Sequence, residues 1–394
     1  MVEIARFKAV TLSPALDEKE RYVAPIYDTI DEKTYKIYAA NRNNIIHATR
    51  RQDGADLDNF IEVADTTIKT LFQDRILEER EKESLYIYRI CYKISDDLKS
   101  GVDADEERDE YTLLGIVALV SVDDTGREIM GHESVFDDNT EERYYLMKKC
   151  RMNFSPIMAE YNEDGVAISK LLKPYIKENL PIVEVKHNGT THTLWEINDQ
   201  AICEYIIHSL SNQKLMILDG HHRYTAACRL DERDGVKNTM MMLVWGQDPN
   251  LLLLPWHRCI SDVSRDQLTR VLAAHTGTNY ERYDEFIRAF KNEKDANSAV
   301  YCGAGFQILN NLDIFKLQKM IIDPLIKEGG KISFSPTIRD AMERVDQGRC
   351  TASFIVKPPD IGVIEEVATQ KRSLPQKSTR FLPKVIEGII LRRF

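Results

Sequence analysis

The stretch Leu215-Met216-Ile217-Leu218-Asp219-Gly220-His221-His222-Arg223-Tyr224-Thr225-Ala226-Ala227-Cys228 decides the fold of this chain. Its four leading apolar residues predict a strand that is buried on both faces. Asp219 and Gly220 interrupt the strand, because Asp is a good N-cap and Gly permits a tight turn. The residues from Tyr224 to Leu230 favour a helix. The pattern therefore predicts a strand, a polar turn and a helix.

A strand that leads directly into a helix creates a place for an anion. The first N–H groups of the helix have no acceptor within it, and the positive end of the helix dipole lies there. Arg223 adds a planar fork that suits phosphate or carboxylate. His221 and His222 add two donors whose charge changes near neutral pH. An anion site is therefore predicted at this turn, and a plain junction capped by Asp219 is the alternative.

The composition is that of a soluble globular protein of two or three domains. The chain has 394 residues, of which 43% are hydrophobic and 29% charged, and its net charge is -10. An acidic chain repels nucleic acid and anionic membranes, so neither is expected as a partner. Seven cysteines without a C-x-x-C pair indicate a reducing compartment. The N-terminal residues resemble no leader, and the apolar run Leu113–Val122 is about half as long as a membrane-spanning helix. We therefore expect a cytoplasmic protein.

Apolar periodicity predicts mixed α/β structure along the whole chain. The spacing predicts a helix over Asp58–Leu77 and strands over Leu85–Tyr92 and Leu113–Val122. The acidic run Asp96–Glu110 between the strands is predicted to be a solvated loop. We expect an α/β fold of the mixed α+β kind, in three regions: an N-terminal α/β region (1–125), a core that holds the turn (126–265) and a C-terminal α+β region (266–394).

Two further motifs carry possible chemistry. His132-Glu133 begins like a zinc-protease H-E-x-x-H, but Phe136 stands where the second histidine belongs. Glu133 is therefore a candidate general base or metal ligand, and the alternative is that it is an ordinary surface residue. Lys377-Ser378-Thr379 imitates the end of a P-loop, yet no glycine precedes it at 371–376. This basic loop between prolines is predicted to hold an anion or to be an ordered surface loop.

His257 and Arg258 follow an apolar strand and Trp256. Strand ends in α/β folds face the ligand crevice, so this pair is a candidate to join Arg223, although such a pair is often incidental. The chain has no G-x-S-x-G elbow, so covalent acyl chemistry has no support.

Over Asp219–Ala227 the sequence resembles the ParB/sulfiredoxin superfamily, in which a G-x-x-R-x-x-A-type turn holds nucleotide phosphates at a helix N-terminus. More specifically, it is similar to a widespread family labelled as a domain of unknown function, with matching motifs along the whole chain. These motifs are D-G-H-H-R and His257-Arg258, together with Ala24–Thr29, His132–Val135, Asn153–Ile157 and Pro375–Lys384. The residues that depart from the family pattern stand mainly at motif edges, namely Ile26, Thr29, Val135 and Gln376.

The resemblance implies a ParB/sulfiredoxin-like core with N- and C-terminal α/β extensions, and a kinase of free L-serine. Such a kinase makes O-phospho-L-serine from serine and ATP or ADP with Mg²⁺, which implies a place in serine metabolism and cysteine biosynthesis. His221 stands where sulfiredoxin has its reactive cysteine, so sulfinic-acid reduction is not expected. A nucleotide-binding regulatory or scaffold protein without turnover is the alternative. A DNA-binding ParB relative is a third, which the negative charge disfavours.

The resemblance also implies a role for each motif residue. Gly220, His221, His222 and Arg223 would cradle the nucleotide phosphates, and Asp219 would bind Mg²⁺ or orient the serine hydroxyl. Glu133 is the first candidate for general base, with Asp219 second. His221 would stabilise the transferred phosphoryl group. Further charge neutralisation and closure over the substrate would come from His222, His257, Arg258, Lys377, Ser378 and Thr379.

Overall fold

The computed structural model describes residues 2–99, 108–133, 135–293 and 295–394. These residues fall into two compact units. The first comprises Met1–Lys93, Tyr111–Leu251 and Pro383–Phe394, and the second comprises Ile94–Glu110 and Leu252–Leu382, apart from the residues outside the described ranges. The division into regions 1–125, 126–265 and 266–394 stays a prediction. The contacts group the chain differently, because the segment after Leu382 returns to the first unit.

A mixed sheet forms the core of the first unit. Its strands follow one another in the order Val183–His187, Thr190–Ile197, Leu85–Tyr92, Tyr111–Ser121, Asn238–Trp245, Ile157–Tyr161, Leu215–Asp219 and Ile129–Met130. A further strand, Ile4–Ala5, pairs with Tyr111–Ser121. Leu215–Asp219 pairs parallel with Ile129–Met130 and antiparallel with Ile157–Tyr161, so the sheet is mixed. The expected mixed α/β fold class is confirmed.

Two helices, Gly165–Glu178 and Gln200–Ser211, share a core with this sheet. Successive strand residues point to opposite faces, so this core takes alternate residues of each strand. Its almost fully buried members include Ile87, Ile116, Ala118, Ile157, Ala159, Ile206, Leu210 and Leu215. The other described helices of the unit are Glu32–Ala39, Ile46–Thr49, Leu57–Gln73, Asp137–Cys150 and His221–Asp234, with 3-10 turns at Lys19–Arg21 and Tyr27–Thr29.

Two small antiparallel sheets fix the C-terminal segment in the first unit. One has the strand order Leu77–Glu79, Ala9–Leu12, Ile390–Arg393 and Met152–Asn153. The other pairs Ile386–Glu387 with Ala24–Pro25, which precedes Tyr27. These pairings hold residues 383–394 against segments from the beginning and the middle of the chain.

An antiparallel sheet organises the second unit. Its strand order is Gly277–Tyr280, Phe306–Leu309, Ser298–Tyr301, Ala352–Val356, His257–Ser261 and Lys331–Ser335. Phe354 packs into one hydrophobic cluster and its neighbour Ile355 into another, so the sheet is covered on both faces. Leu252–Leu254 pairs separately with Arg380–Leu382. The described helices are Asp96–Lys99, Arg265–Leu272, Tyr283–Asn292, Ile314–Leu317, Asp323–Lys327, Ile338–Asp346 and Ile361–Thr369, with a π-helical turn at Gln318–Ile322.

Local structure departs from the sequence pattern at a few places. The first long helix covers Leu57–Gln73 rather than Asp58–Leu77, and Asp56 caps it by accepting from the N–H of Asn59. Asp96–Lys99 is helical, which corrects part of the predicted acidic loop, while residues 100–107 of that loop lie outside the described ranges. In the part of the chain that is described, no helix combines the length and apolar character needed to cross a bilayer.

Candidate functional site

The central turn joins a buried strand to a helix through one glycine. The strand is Leu215–Asp219, and the helix begins at His221 rather than at Tyr224. Gly220 is the N-cap and has φ 95°, a conformation that L side chains rarely adopt. A Cβ at this position would lie 2.7 Å from Nη2 of Arg223. Because Gly220 has no side chain, no capping side chain accepts from the first-turn N–H groups of the helix. These donors are the groups that would bind an anion at the turn.

Asp219 does not cap the helix, which corrects the expectation from the sequence. Its Oδ2 accepts from Nη2 of Arg223 at 2.7 Å, and its Oδ1 contacts Nζ of Lys384. Burial acts to raise the pKa of this carboxyl, but Lys384 and Arg223 outweigh it and hold the pKa below its ordinary value. Asp219 is therefore a buried carboxylate between two cations.

Arg223 is used inside the protein rather than offered to a ligand. It is 7% exposed, and its Nη1 donates to Oγ of Ser155 at 2.9 Å and to the carbonyl of Pro156 at 2.8 Å. The i,i+4 spacing within the helical turn places its second nitrogen on Asp219. The expectation of a free guanidinium fork for phosphate is corrected accordingly, and Arg223 connects the motif to the segment Asn153–Ile157.

His221 is a buried neutral imidazole. Burial lowers its pKa to about 3, so it does not change charge near neutral pH as the sequence suggested. Its Nε2 accepts from the backbone N–H of His132 at 3.3 Å. The proton of the neutral ring therefore lies on Nδ1, which faces Oε2 of Glu133 at 3.5 Å. The Glu133 side chain is 40% exposed, so the predicted pair Glu133 and His221 meets at the rim of the turn.

His132 and His222 complete the surroundings of the turn. The His132 ring packs edge-on against His221 with centroids 4.7 Å apart, and burial lowers its pKa to about 3. Nε2 of His222 accepts from the N–H of Phe136 at 3.1 Å, and the two rings stack. Ser134, within the predicted H-E motif, lies outside the described ranges.

A small cavity of about 20 Å³ lies next to Arg223, which is room for a single water molecule. Its polar lining joins residues from four parts of the sequence, namely Tyr27, Arg143, Asn153, Ser155, Arg223, Thr239 and Glu387. The Arg143 guanidinium lies 4.1 Å from the centre of the Tyr27 ring. The early and central family motifs thus meet here, although the sequence alone gave no reason to connect them.

Glu387 is the most unusual residue of this cavity. Its side chain is 1% exposed, and burial raises the pKa of its carboxyl to about 7 although Thr49, Arg143 and Arg223 all act to lower it. Neither Glu387 nor Arg143 was predicted as a site residue, because neither stands in a recognisable local pattern. Lys384 ends the C-terminal motif Pro375–Lys384, and this position is the sequence signal for its role.

The other predicted site residues form a cluster in the second unit. Arg258 is 0% exposed, and its Nη2 donates to Oγ of Ser378 at 3.3 Å and to the carbonyl of Gln376 at 3.4 Å. Nδ1 of His257 accepts from the N–H of Val356, and burial lowers the pKa of this histidine to about 3. Thr379 is buried, while Lys377 is exposed. Arg258 therefore contacts the basic loop, while His257 contacts the strand Ala352–Val356.

The predicted Mg²⁺ role of Asp219 does not fit this arrangement. Both of its oxygens face cations, which would repel a divalent ion. Within the ranges that the structure covers, no three His, Cys, Asp or Glu side chains are grouped so as to hold a metal. Asp219 is therefore a carboxylate held by two cations rather than a ligand for Mg²⁺ in this arrangement.

The sequence matches a family model described as Protein of unknown function (DUF1015) over residues 4–325. No curated protein matches it. Among solved structures, the chain is similar to a free serine kinase in complexes with AMP and ADP. The TM-score is 0.40 and the identity 13% in both, over 68% of this chain and 87% of that chain.

Two further structures are similar at the same level. A conserved hypothetical protein from Pyrococcus furiosus has TM-score 0.38 and 14% identity, over 69% of this chain and 94% of that one. C-terminally truncated SbnI from Staphylococcus aureus has TM-score 0.37 and 13% identity, over 68% of this chain and 82% of that one. At these TM-scores and identities, none of these structures establishes a fold or an activity for this chain. The family model covers most of the sequence, and on that basis the protein belongs to the family of proteins of unknown function DUF1015.

Proposed function

We propose that the protein is a kinase that transfers a phosphoryl group from ATP or ADP to the hydroxyl of free L-serine. The observation that carries the proposal is the contact of Lys384 with Asp219, which directly precedes the helix N-cap Gly220. A helix N-terminus without a capping side chain favours phosphate, and a lysine beside it adds a positive charge. The ParB/sulfiredoxin-like character of this core is part of the proposal.

Phosphate binding falls to the backbone N–H groups of the first helical turn and to Lys384. The Lys384 side chain is 28% exposed, and Asp219 holds its ammonium in place. Arg223 positions Asp219 and does not contact the nucleotide. Neutral His221 adds no charge of its own at this point, and we assign the cationic contribution to Lys384.

Glu133 is proposed as the general base. Its partly exposed carboxylate faces Nδ1 of His221, which orients it at the edge of the turn. The serine hydroxyl oxygen forms a bond to the terminal phosphorus as Glu133 takes the hydroxyl proton. The bond from phosphorus to the bridging oxygen then breaks, and the nucleotide leaves with that electron pair. His257, Arg258, Lys377, Ser378 and Thr379 belong to the second unit, and we propose that they hold an anion within that unit.

The direct test is phosphorus NMR of the purified full chain with L-serine and with ATP or ADP in separate samples, in the presence of Mg²⁺. We expect an O-phospho-L-serine resonance, whose appearance also identifies the donor. Glu133→Gln should reduce its rate of formation by about 100-fold or more. Glu184→Gln is the matched control, because its side chain is 46% exposed and lies on the strand Val183–His187. Absence of phosphoserine with both donors would refute the kinase proposal.

A second candidate is a nucleotide-binding regulatory protein without turnover. The pairing of Asp219 with both Lys384 and Arg223 favours it, since a carboxylate held by two cations is a poor base. This candidate predicts nucleotide binding that Lys384→Met weakens, with no phosphorylated product from any hydroxyl acceptor.

A further inference from the structure

Two cations share one aromatic ring in the second unit. Nζ of Lys377 lies 5.6 Å from the centre of the Trp256 ring, and the guanidinium carbon of Arg380 lies 4.8 Å from it. Arg258 lies beside them, with its Nη1 donating to the carbonyl of Trp256 at 2.9 Å. We call these four residues, Trp256, Arg258, Lys377 and Arg380, the Trp256 cluster. The cluster gathers like charges, which repel one another in the absence of an anion.

No carboxylate of the described chain forms an ion pair with these three cations. Burial alone lowers the pKa of both Arg258 and Arg380 to about 10, with no neighbouring acid to raise it. The Nε atoms of both arginines are buried without an acceptor. Asp340, which acts electrostatically on the neighbouring His257, is paired with Arg344 at 2.8 Å. Buried charges in proteins are normally paired with a charge of opposite sign. The Trp256 cluster therefore lacks the counterion that its cations would be expected to have.

Composition does not account for this lack of acids. The chain has 63 Asp and Glu against 53 Lys and Arg, so acidic residues are in excess. Exposed basic residues elsewhere in the second unit do have partners, as Lys331 has Asp262 at 2.9 Å and Arg270 has Glu328 at 3.3 Å. The absence of an acid is therefore a property of the Trp256 cluster itself.

We propose that the Trp256 cluster binds a phosphate group. Lys377 and Arg380, which both lie against the Trp256 ring, contact it, and together they match the charge of a dianion. Arg258 is a positioning residue, because it is fully buried and fixes the loop through Ser378 and Gln376. The inference rests on the proposed function, in which Lys377 is already assigned to an anion site of the second unit. It adds Arg380 and Trp256, and it assigns the second unit a phosphate site of its own.

A phosphate group can come from the nucleotide or from the phosphorylated product. Isothermal titration of the full chain with inorganic phosphate, ATP and O-phospho-L-serine in separate runs distinguishes these sources. Arg380→Gln should weaken inorganic phosphate binding by at least about tenfold, because one charge-assisted contact is lost. Arg270→Gln, whose side chain is 67% exposed in the same unit, is the matched control and should bind as the wild type does. The organic ligand whose affinity falls in parallel is the natural source.

Lys377→Gln provides a second variant in case Arg380→Gln does not fold, since Lys377 is exposed. Unchanged phosphate affinity in the folded variants, or no phosphate binding by the wild type, would overturn the inference. The two proposals fail separately. Wild-type protein that makes no phosphoserine but loses phosphate binding with Arg380→Gln would refute the kinase and leave this site intact. If both variants formed phosphoserine and bound phosphate as the wild type does, the kinase proposal would stand and the phosphate site at the Trp256 cluster would be refuted.

Discussion

Replacement of Glu387 by Gln should remove a pH dependence of stability that this carboxyl creates. In the folded protein burial raises its pKa to about 7, whereas the ordinary value is 4.5. Between these values the folded state keeps the proton and the unfolded state has lost it. Stability therefore falls as the pH rises from 4.5 to about 7, and above that the folded protein contains a buried carboxylate.

The size of the effect follows from the difference between the two pKa values. At ~1.36 kcal/mol for each pKa unit, the difference corresponds to about 3 kcal/mol of unfolding free energy. Gln has nearly the same shape and no charge to bury. Relative to the wild type, Glu387→Gln should therefore gain about 3 kcal/mol between about pH 4 and about pH 8.

Urea unfolding of both proteins, followed by circular dichroism at several pH values, measures this gain directly. All other titrating groups are shared, so their contributions cancel in the difference between the two proteins. A difference that is independent of pH over this range would refute the reasoning. It would mean that the carboxyl is already ionised in the folded protein at low pH, with Arg143 and Arg223 compensating for its burial.

Two further substitutions test the packing of the two units. Gly220→Ala should destabilise the first unit by about 1–3 kcal/mol, because the residue has φ 95° and a Cβ would lie 2.7 Å from Arg223. Thermal unfolding checks this, and an unchanged melting temperature would contradict the assignment of Gly220 as the turn residue. Phe286→Ala should cost the second unit about 3–5 kcal/mol, because Phe286 is 0% exposed and stacks on Phe306 with centroids 4.1 Å apart. Limited proteolysis should then cleave the second unit first, and equal resistance to cleavage would count against this packing.

Short-range patterns predicted the elements well and their ends less well. Alternating and helical periodicity identified the strand at Leu85–Tyr92 and the helix at Leu57–Gln73, because burial of one face leaves a local signature. The predicted helix extended to Leu77, since that residue continues the apolar spacing. In the structure Leu77 begins a strand and pairs with Leu12, a partner that the local pattern does not reveal.

Long-range contacts determine the candidate site and explain what the sequence did not predict. Residue preference predicted Asp219 as a cap, but Lys384 reaches it from 165 residues further along the chain. The spacing of Arg223 from Asp219 was visible, yet its burial against Ser155 was not. Histidine in a polar turn suggested a titrating group, whereas full burial keeps His221 neutral.

The return of the C-terminal segment to the first unit has a consequence for synthesis on the ribosome. Residues 252–382, which belong to the second unit, must be translated before Lys384 and the strand Ile390–Arg393. Until then the sheet that contains Ala9–Leu12 lacks an inner strand, and Asp219 lacks one of its two cations. Domains generally fold as they emerge, N-terminal parts first, but here the earlier unit is completed last. A nascent chain that stops short of Lys384 therefore has the turn at Gly220 in its sequence without the lysine that we propose enables it to bind phosphate.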